Sequence, residues 1–142
     1  MIDALDVLIA DESPALRRVL RLLLERDGGI RVVGDSADLG CALDRCRALQ
    51  PTVLLADGDL IRRAGETPAE VQDRLHGTAL VVLSLYPDAH PAPEAPSATA
   101  VPVLAKDSAP ERLAATVRAV AARAQRGREG DGAAGDAPAG TD

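Results

Sequence analysis

Aromatic side chains are almost missing from this chain. Its 142 residues contain no Phe and no Trp, and Tyr86 is the single aromatic, so a core has to be built from Leu, Val, Ile and Ala. Cysteine is nearly as scarce. Cys41 and Cys46 are the only two. Five residues apart on a predicted helix, they lie on different faces, and neither a C-x-x-C pair nor a histidine pair accompanies them. They read as buried or half-buried structural thiols. His76 and His90 stand alone and receive no role. No apolar run approaches the ~20 residues that span a bilayer, and Met1-Ile-Asp-Ala-Leu-Asp has no basic segment of the kind that opens a signal peptide. The formal charge is −6, and the arginines are spread over predicted helix faces. That excludes the clustered Lys/Arg surface of a nucleic-acid binder. The expectation is a soluble, cytoplasmic protein with no direct nucleic-acid or membrane contact.

Aliphatic residues, by contrast, come in short unbroken runs. The central one is 51–59, PTVLLADGD. Four apolar residues in succession predict a strand buried on both faces, as in a parallel sheet. Asp57 arrives at its C-terminal end, where open α/β sheets bind ligands. Asp-Gly is also a common turn pair, so this stretch alone leaves a turn-starting role open.

Around it the chain repeats one unit. Leu5–Ala10 is a first strand, ending in Asp11-Glu12. Ser13 and Pro14 suit the cap and first position of a helix. Leu16, Val19, Leu20, Leu23 and Leu24 form its core stripe, with Arg17, Arg18 and Arg21 mostly off it. A second, more mixed strand at 30–34 belongs near a sheet edge. Asp38 caps a helix whose core face is Leu39, Ala42, Leu43 and Cys46. After Asp57 a loop is predicted as far as Glu66; the capping box Thr67-Pro68-Ala69-Glu70 then starts a short helix. Residues 79–83 form a fourth strand, with Ser84 at its end. Segment 87–100 holds Pro87, Pro91, Pro93 and Pro96. Each interior proline costs a helix about 3 kcal/mol, which forbids a regular one there. Residues 101–105 are a fifth strand, with Pro102 marking a sheet edge or strand start. Lys106 follows, then a second capping box at Ser108-Ala109-Pro110-Glu111 and a last helix with Leu113, Ala114, Val117, Val120 and Ala124 inward. From Gly127 the composition turns to Gly, Ala and Asp and predicts disorder. The division is one domain over 1–126 and a tail over 127–142.

Strand and helix alternate five times. Right-handed crossovers place the helices on both faces of an open, doubly wound, five-stranded parallel sheet. The strand ends then share an edge, and neighbouring strands are about 5 Å apart. Asp11, Glu12, Asp57, Ser84 and Lys106 converge there. Three carboxylates meeting without a counter-ion repel, and a hard divalent cation resolves the repulsion. Mg2+ takes oxygen ligands at roughly 2.0–2.1 Å and keeps several waters. Asp11 and Asp57 are its candidate ligands, with Glu12 behind them or joined through a water. With a phosphoryl oxygen also on the metal, Asp57 becomes a nucleophile on phosphorus. Lys106 supplies a point charge to a phosphoryl oxygen and Ser84 a hydrogen bond.

These residues sit in LIADESPALRRVLRLLLE with its acidic pair, in P-x-x-x-x-x-D ending at Asp57, in VVLSLY with Ser84, and in VLAKDSAPERL with Lys106. In them the chain resembles the receiver domain of two-component response regulators, over roughly residues 5–125. The VVG at 32–34 and Tyr86 two residues beyond Ser84 look most like receivers of the NarL/LuxR subfamily. The resemblance implies a flavodoxin-like (βα)5 fold in which a sensor histidine kinase donates a phosphoryl group to Asp57 with Mg2+ present. It implies that the backbone carbonyl of Asp59 is a metal ligand and that Ser84 and its loop move toward the phosphate. It also implies that the Asp59 and Tyr86 side chains tune phosphate lifetime, and that the first helix and the 106–108 loop dock the kinase. By the same resemblance the chain is a signalling domain rather than an enzyme.

Several positions depart from the family pattern. Ile61 stands where Pro is usual, Val103 where strand five carries an aromatic, and Thr99-Ala100 where Ala-Gly is expected. The prolines of 87–100 occupy the place of the family's fourth helix, which is therefore expected to be short or irregular. The tail is too short to be a helix-turn-helix, so the expectation is a receiver without an effector domain. Such a chain signals by contact with an unidentified downstream protein, its oligomeric state open. The altered fourth-helix segment motivates one alternative, a receiver-like interaction module acting independently of phosphorylation. A flavodoxin-like cofactor binder fits poorly: no Gly-rich loop follows the first strand and no aromatic is placed to stack a flavin.

Overall fold

The unbroken apolar runs become the sheet. The computed structural model describes residues 4–85 and 101–139, with side chains as far as residue 124. Its strands are β1 (Leu5–Ala10), β2 (Ile30–Ser36), β3 (Val53–Asp57), β4 (Ala79–Ser84) and β5 (Val103–Ala105). They pair in parallel in the order β2-β1-β3-β4-β5. The helices are α1 (Pro14–Glu25), α2 (Leu39–Leu49), α3 (Gly58–Arg63), α4 (Pro68–Arg74) and α5 (Pro110–Ala139). This is the flavodoxin-like strand order, which changes direction between β1 and β3 and opens a crevice there.

Alternation along each central strand divides the core in two. Val7, Ile9, Val53, Leu55, Val81 and Leu83 point to one face, against Leu20 and Leu24 of α1 and Leu113 and Val117 of α5. Leu8, Ala10, Leu54, Ala56, Leu80 and Val82 point to the other, against Leu39 and Leu43 of α2, Leu60 and Ile61 of α3, and Val71 of α4. Period-two side chains on a strand covered from both sides require apolar residues at every position. That is why these runs are unbroken. Each Leu or Ile so buried contributes about 1.5–3 kcal/mol relative to exposure.

Capping behaves as predicted at three helices. Ser13 accepts the Leu16 N–H at 3.1 Å, Asp38 accepts the Cys41 N–H at 2.7 Å, and Thr67 and Glu70 complete the reciprocal box. At α5 it does not. Ser108 Oγ donates to the Ala105 carbonyl at 2.7 Å, tightening the turn after β5, and the Ala109 carbonyl accepts the first helical bonds.

Other expectations need correction. The loop predicted after Asp57 contains α3. Asp57 itself caps it, accepting the Asp59 N–H, and burial of Leu60 and Ile61 offsets the poor helix propensity of Gly58. Val19 is exposed, because the buried stripe of α1 is narrower than the apolar spacing suggests: Leu20 and Leu24 are buried, with Leu16 packed beside them. Cys41 is exposed and Cys46 buried. Strand five is only three residues long and begins after Pro102, which has no N–H to give a ladder. The backbone carries α5 on to Ala139, through the segment predicted to be disordered. The proline-rich segment 87–100, predicted to hold no regular helix, and Tyr86 lie outside the described residues.

Candidate functional site

Register aligns the site. Ala10 pairs with Ala56 and Asp57 with Leu83, so Asp11 and Asp57 leave β1 and β3 at the same level. Ser84 pairs with Ala105, and the Lys106 N–H donates to the Ser84 carbonyl at 2.9 Å. Four of the five predicted side chains are thereby brought to one edge. Asp11 is 3 % exposed, Asp57 5 % and Ser84 7 %.

Backbone hydrogen bonds hold the two carboxylates in place. Asp11 Oδ1 accepts the Ser13 N–H at 2.9 Å, and the Asp11 N–H donates to the Ser36 carbonyl at 3.0 Å. Asp57 Oδ1 accepts the Asp59 N–H at 3.0 Å. Lys106 Nζ then reaches both acids, lying 2.9 Å from Asp11 Oδ2 and 3.2 Å from Asp57 Oδ1. Burial, the largest single influence on this ammonium, lowers its pKa. The hydrogen bond to Asp11 and the charges of Asp57 and Asp11 together outweigh burial and leave the pKa raised.

Glu12 does not join them. It is exposed, and its Oε1 accepts from Arg63 Nη1 at 2.6 Å. That hydrogen bond, with the Arg63 charge, holds the Glu12 carboxyl below its usual range. The Asp59 side chain turns outward to Arg62 at 2.7 Å, and its backbone carbonyl accepts from Arg63 Nε at 3.4 Å. The carboxylate repulsion that points to a divalent cation in the sequence is thus already offset by Lys106 and Arg63. Among the described residues, no three His, Cys, Asp or Glu side chains form a group placed to hold a metal ion. The donor set still fits Mg2+, which is commonly bound by one or two carboxylates, waters and substrate phosphates. Asp11 and Asp57 are two such hard oxygen donors, adjacent and buried.

The whole arrangement matches a known family. The model of the response regulator receiver domain matches residues 7–118. The chain belongs to that family. Receivers are components of two-component systems, interact with histidine kinases and typically bind Mg2+ at the acidic pocket. Among curated proteins, the nitrate/nitrite response regulator NarP of Escherichia coli is 34% identical over 114 residues, covering 80% of this chain and 53% of NarP. A protein-glutamate methylesterase/protein-glutamine glutaminase of Xanthomonas oryzae is 38% identical over 78 residues, 55% of this chain and 22% of that protein. This receiver therefore spans between about a fifth and about half of the length of these relatives. Two solved structures share the fold. The receiver domain of NarL from Mycobacterium tuberculosis has a TM-score of 0.64 at 23% identity, covering 84% of this chain and 97% of that one. RcsB of Salmonella typhimurium has a TM-score of 0.68 at 21% identity, covering 89% and 62%. No helix among the described residues is long and apolar enough to cross a membrane.

Two arginines of this receiver's site escape a reading of the sequence. Arg17 looks like one of three solvated arginines on α1. Its Nη1 instead donates to the Asp11 carbonyl at 2.6 Å and the Glu12 carbonyl at 3.3 Å, and its buried Nε lies 3.5 Å from Asp35 without a hydrogen bond. It fixes the β1–α1 loop from below. Arg63 falls in the stretch predicted to be a loop, so nothing in the sequence aims it at Glu12, 51 positions away.

Proposed function

We propose that this receiver accepts a phosphoryl group on Asp57 from a histidine kinase. The supporting observation is one ammonium, Lys106 Nζ, within 3.2 Å of two buried carboxylates at the edge of the sheet where the connections after β1 and β3 leave to opposite faces. A carboxylate oxygen of Asp57 attacks phosphorus. The O–P bond forms as the P–N bond of a phosphohistidine breaks, and the electron pair leaves on the imidazole nitrogen, which takes a proton. Lys106 holds one phosphoryl oxygen by charge, and the Ser84 hydroxyl donates to another. Positioning and charge neutralisation are most of what such a transfer requires. Asp11, Asp57 and the Asp59 carbonyl would hold Mg2+, with Glu12 joined through a water; when bound, the ion would supply charge neutralisation for phosphoryl oxygens. The phosphorylated receiver signals by contact with another protein.

One observation favours a second reading. Val103 stands half-buried in β5, beside Val82, where the family carries the aromatic that switches with Ser84. An aliphatic there has no ring to swing, which suits a receiver-like module that binds its partner regardless of phosphate. Incubation with Mg2+ and acetyl phosphate, followed by intact-mass measurement, separates the two. The first reading expects a gain of one phosphoryl group that is lost in Asp57→Asn. Wild type without that gain supports the second.

A further inference from the structure

We propose that Arg63 is a built-in competitor of the divalent cation, and that opening its bonds sets the metal affinity of the acidic pocket. The inference rests on the proposed Mg2+ reading of that pocket. A single guanidinium spans two of the oxygens assigned to the metal. Nη1 donates to Glu12 Oε1 at 2.6 Å and Nε donates to the Asp59 carbonyl at 3.4 Å. Lys106 occupies Asp11 Oδ2 and Asp57 Oδ1. Every candidate ligand of the cation is therefore already answered by a positive group of the chain itself.

The two cations differ in how easily they yield. Lys106 is nearly enclosed, with its side chain 12% exposed, whereas the Arg63 and Glu12 side chains are 54% and 55% exposed. Water can replace the bonds of Arg63 as it swings out, so an exposed pair of this kind breaks at small cost. Arg63 also sits at the last position of α3, with only Ala64 as the cap beyond it, so its departure disturbs no core packing. A cation arriving at Asp11 and Asp57 then gains the Asp59 carbonyl and, through a water, Glu12, once Arg63 has moved out. Arg62 provides an internal comparison. It is the same residue type one position away, but it bonds only the Asp59 side chain, which is not a proposed ligand.

The test is calorimetric titration of MgCl2 into wild type, Arg63→Gln and Arg62→Gln at low ionic strength, with circular dichroism to verify folding. Losing an exposed ion pair and one nearby positive charge is expected to tighten Mg2+ binding about three- to tenfold in Arg63→Gln. Arg62→Gln is expected to shift it less than twofold. Added salt narrows the gap by screening the charge. Equal affinity in wild type and Arg63→Gln overturns the proposal while leaving the metal reading intact. So does an equal gain in Arg62→Gln, which would reduce the effect to net charge. Failure of all three proteins to bind Mg2+ removes the metal reading itself, and this inference with it.

Discussion

Replacing Lys106 by Met tests the centre of the site most directly. The substitution keeps an unbranched apolar stem as far as Cε and removes the ammonium between Asp11 and Asp57. At an effective dielectric of about 20, unit charges roughly 3 Å apart attract by about 5 kcal/mol, so the two contacts amount to about 10 kcal/mol before desolvation is counted. Burying the ammonium offsets much of this. Removing one partner of a buried ion pair costs about 3–5 kcal/mol, because the remaining charge stays buried without compensation. With a urea dependence of about 2 kcal/mol per molar, the unfolding midpoint should fall by about 2 M. Circular dichroism is the suitable probe in a chain without Trp. Adding Asp57→Asn to Lys106→Met should restore at least half the loss, since one of the two uncompensated charges is then gone. The raised pKa of Lys106 gives a second signature. A folded value above the unfolded one means the contribution is complete below the ordinary lysine value of about 10.5 and vanishes as pH rises through the folded value. The gap between wild type and Lys106→Met should therefore close only in strongly alkaline solution. A loss under 1 kcal/mol at pH 7, or a gap unchanged to pH 12, would refute this account of the pocket.

Two further outcomes follow from the core. Ile61, 1% exposed among Leu60, Val71 and Leu80, should cost about 2–5 kcal/mol on change to Ala; a cost below 1 kcal/mol in the same urea assay would show that α3 is not anchored by burial. Burial pushes the Cys46 thiol up to about 11, while Cys41 is exposed. One equivalent of a thiol reagent should react with the native protein at pH 8, at Cys41, and the second only in denaturant; two fast equivalents would contradict the packing of α2.

The sequence by itself determined the sheet and most of the pocket's membership. Runs such as Val53–Ala56 have no polar position to spare, so they fit only strands covered on both faces, and alternation with helices dictates parallel pairing. That pairing alone brings Asp11, Asp57, Ser84 and Lys106 to one edge, because each closes or directly follows its strand. Caps at Ser13, Asp38 and Thr67 were equally legible, being contacts across three residues. Short-range pattern fails where the decisive partner is distant. Gly58–Arg63 reads as a loop because its helix is stabilised by burial of Leu60 and Ile61 rather than by propensity. Ser108 carries a capping signature, yet the turn after β5 claims its hydroxyl. Charge pairing was the least visible. The order of strand ends shows three acids in want of a cation, but only tertiary structure decided that Lys106 would serve two and Arg63 the third, since a long flexible cation carries no periodicity to betray its partner. Coulomb attraction depends on where side chains end in space, and for Glu12 and Arg63 that is settled by packing elements half the domain apart.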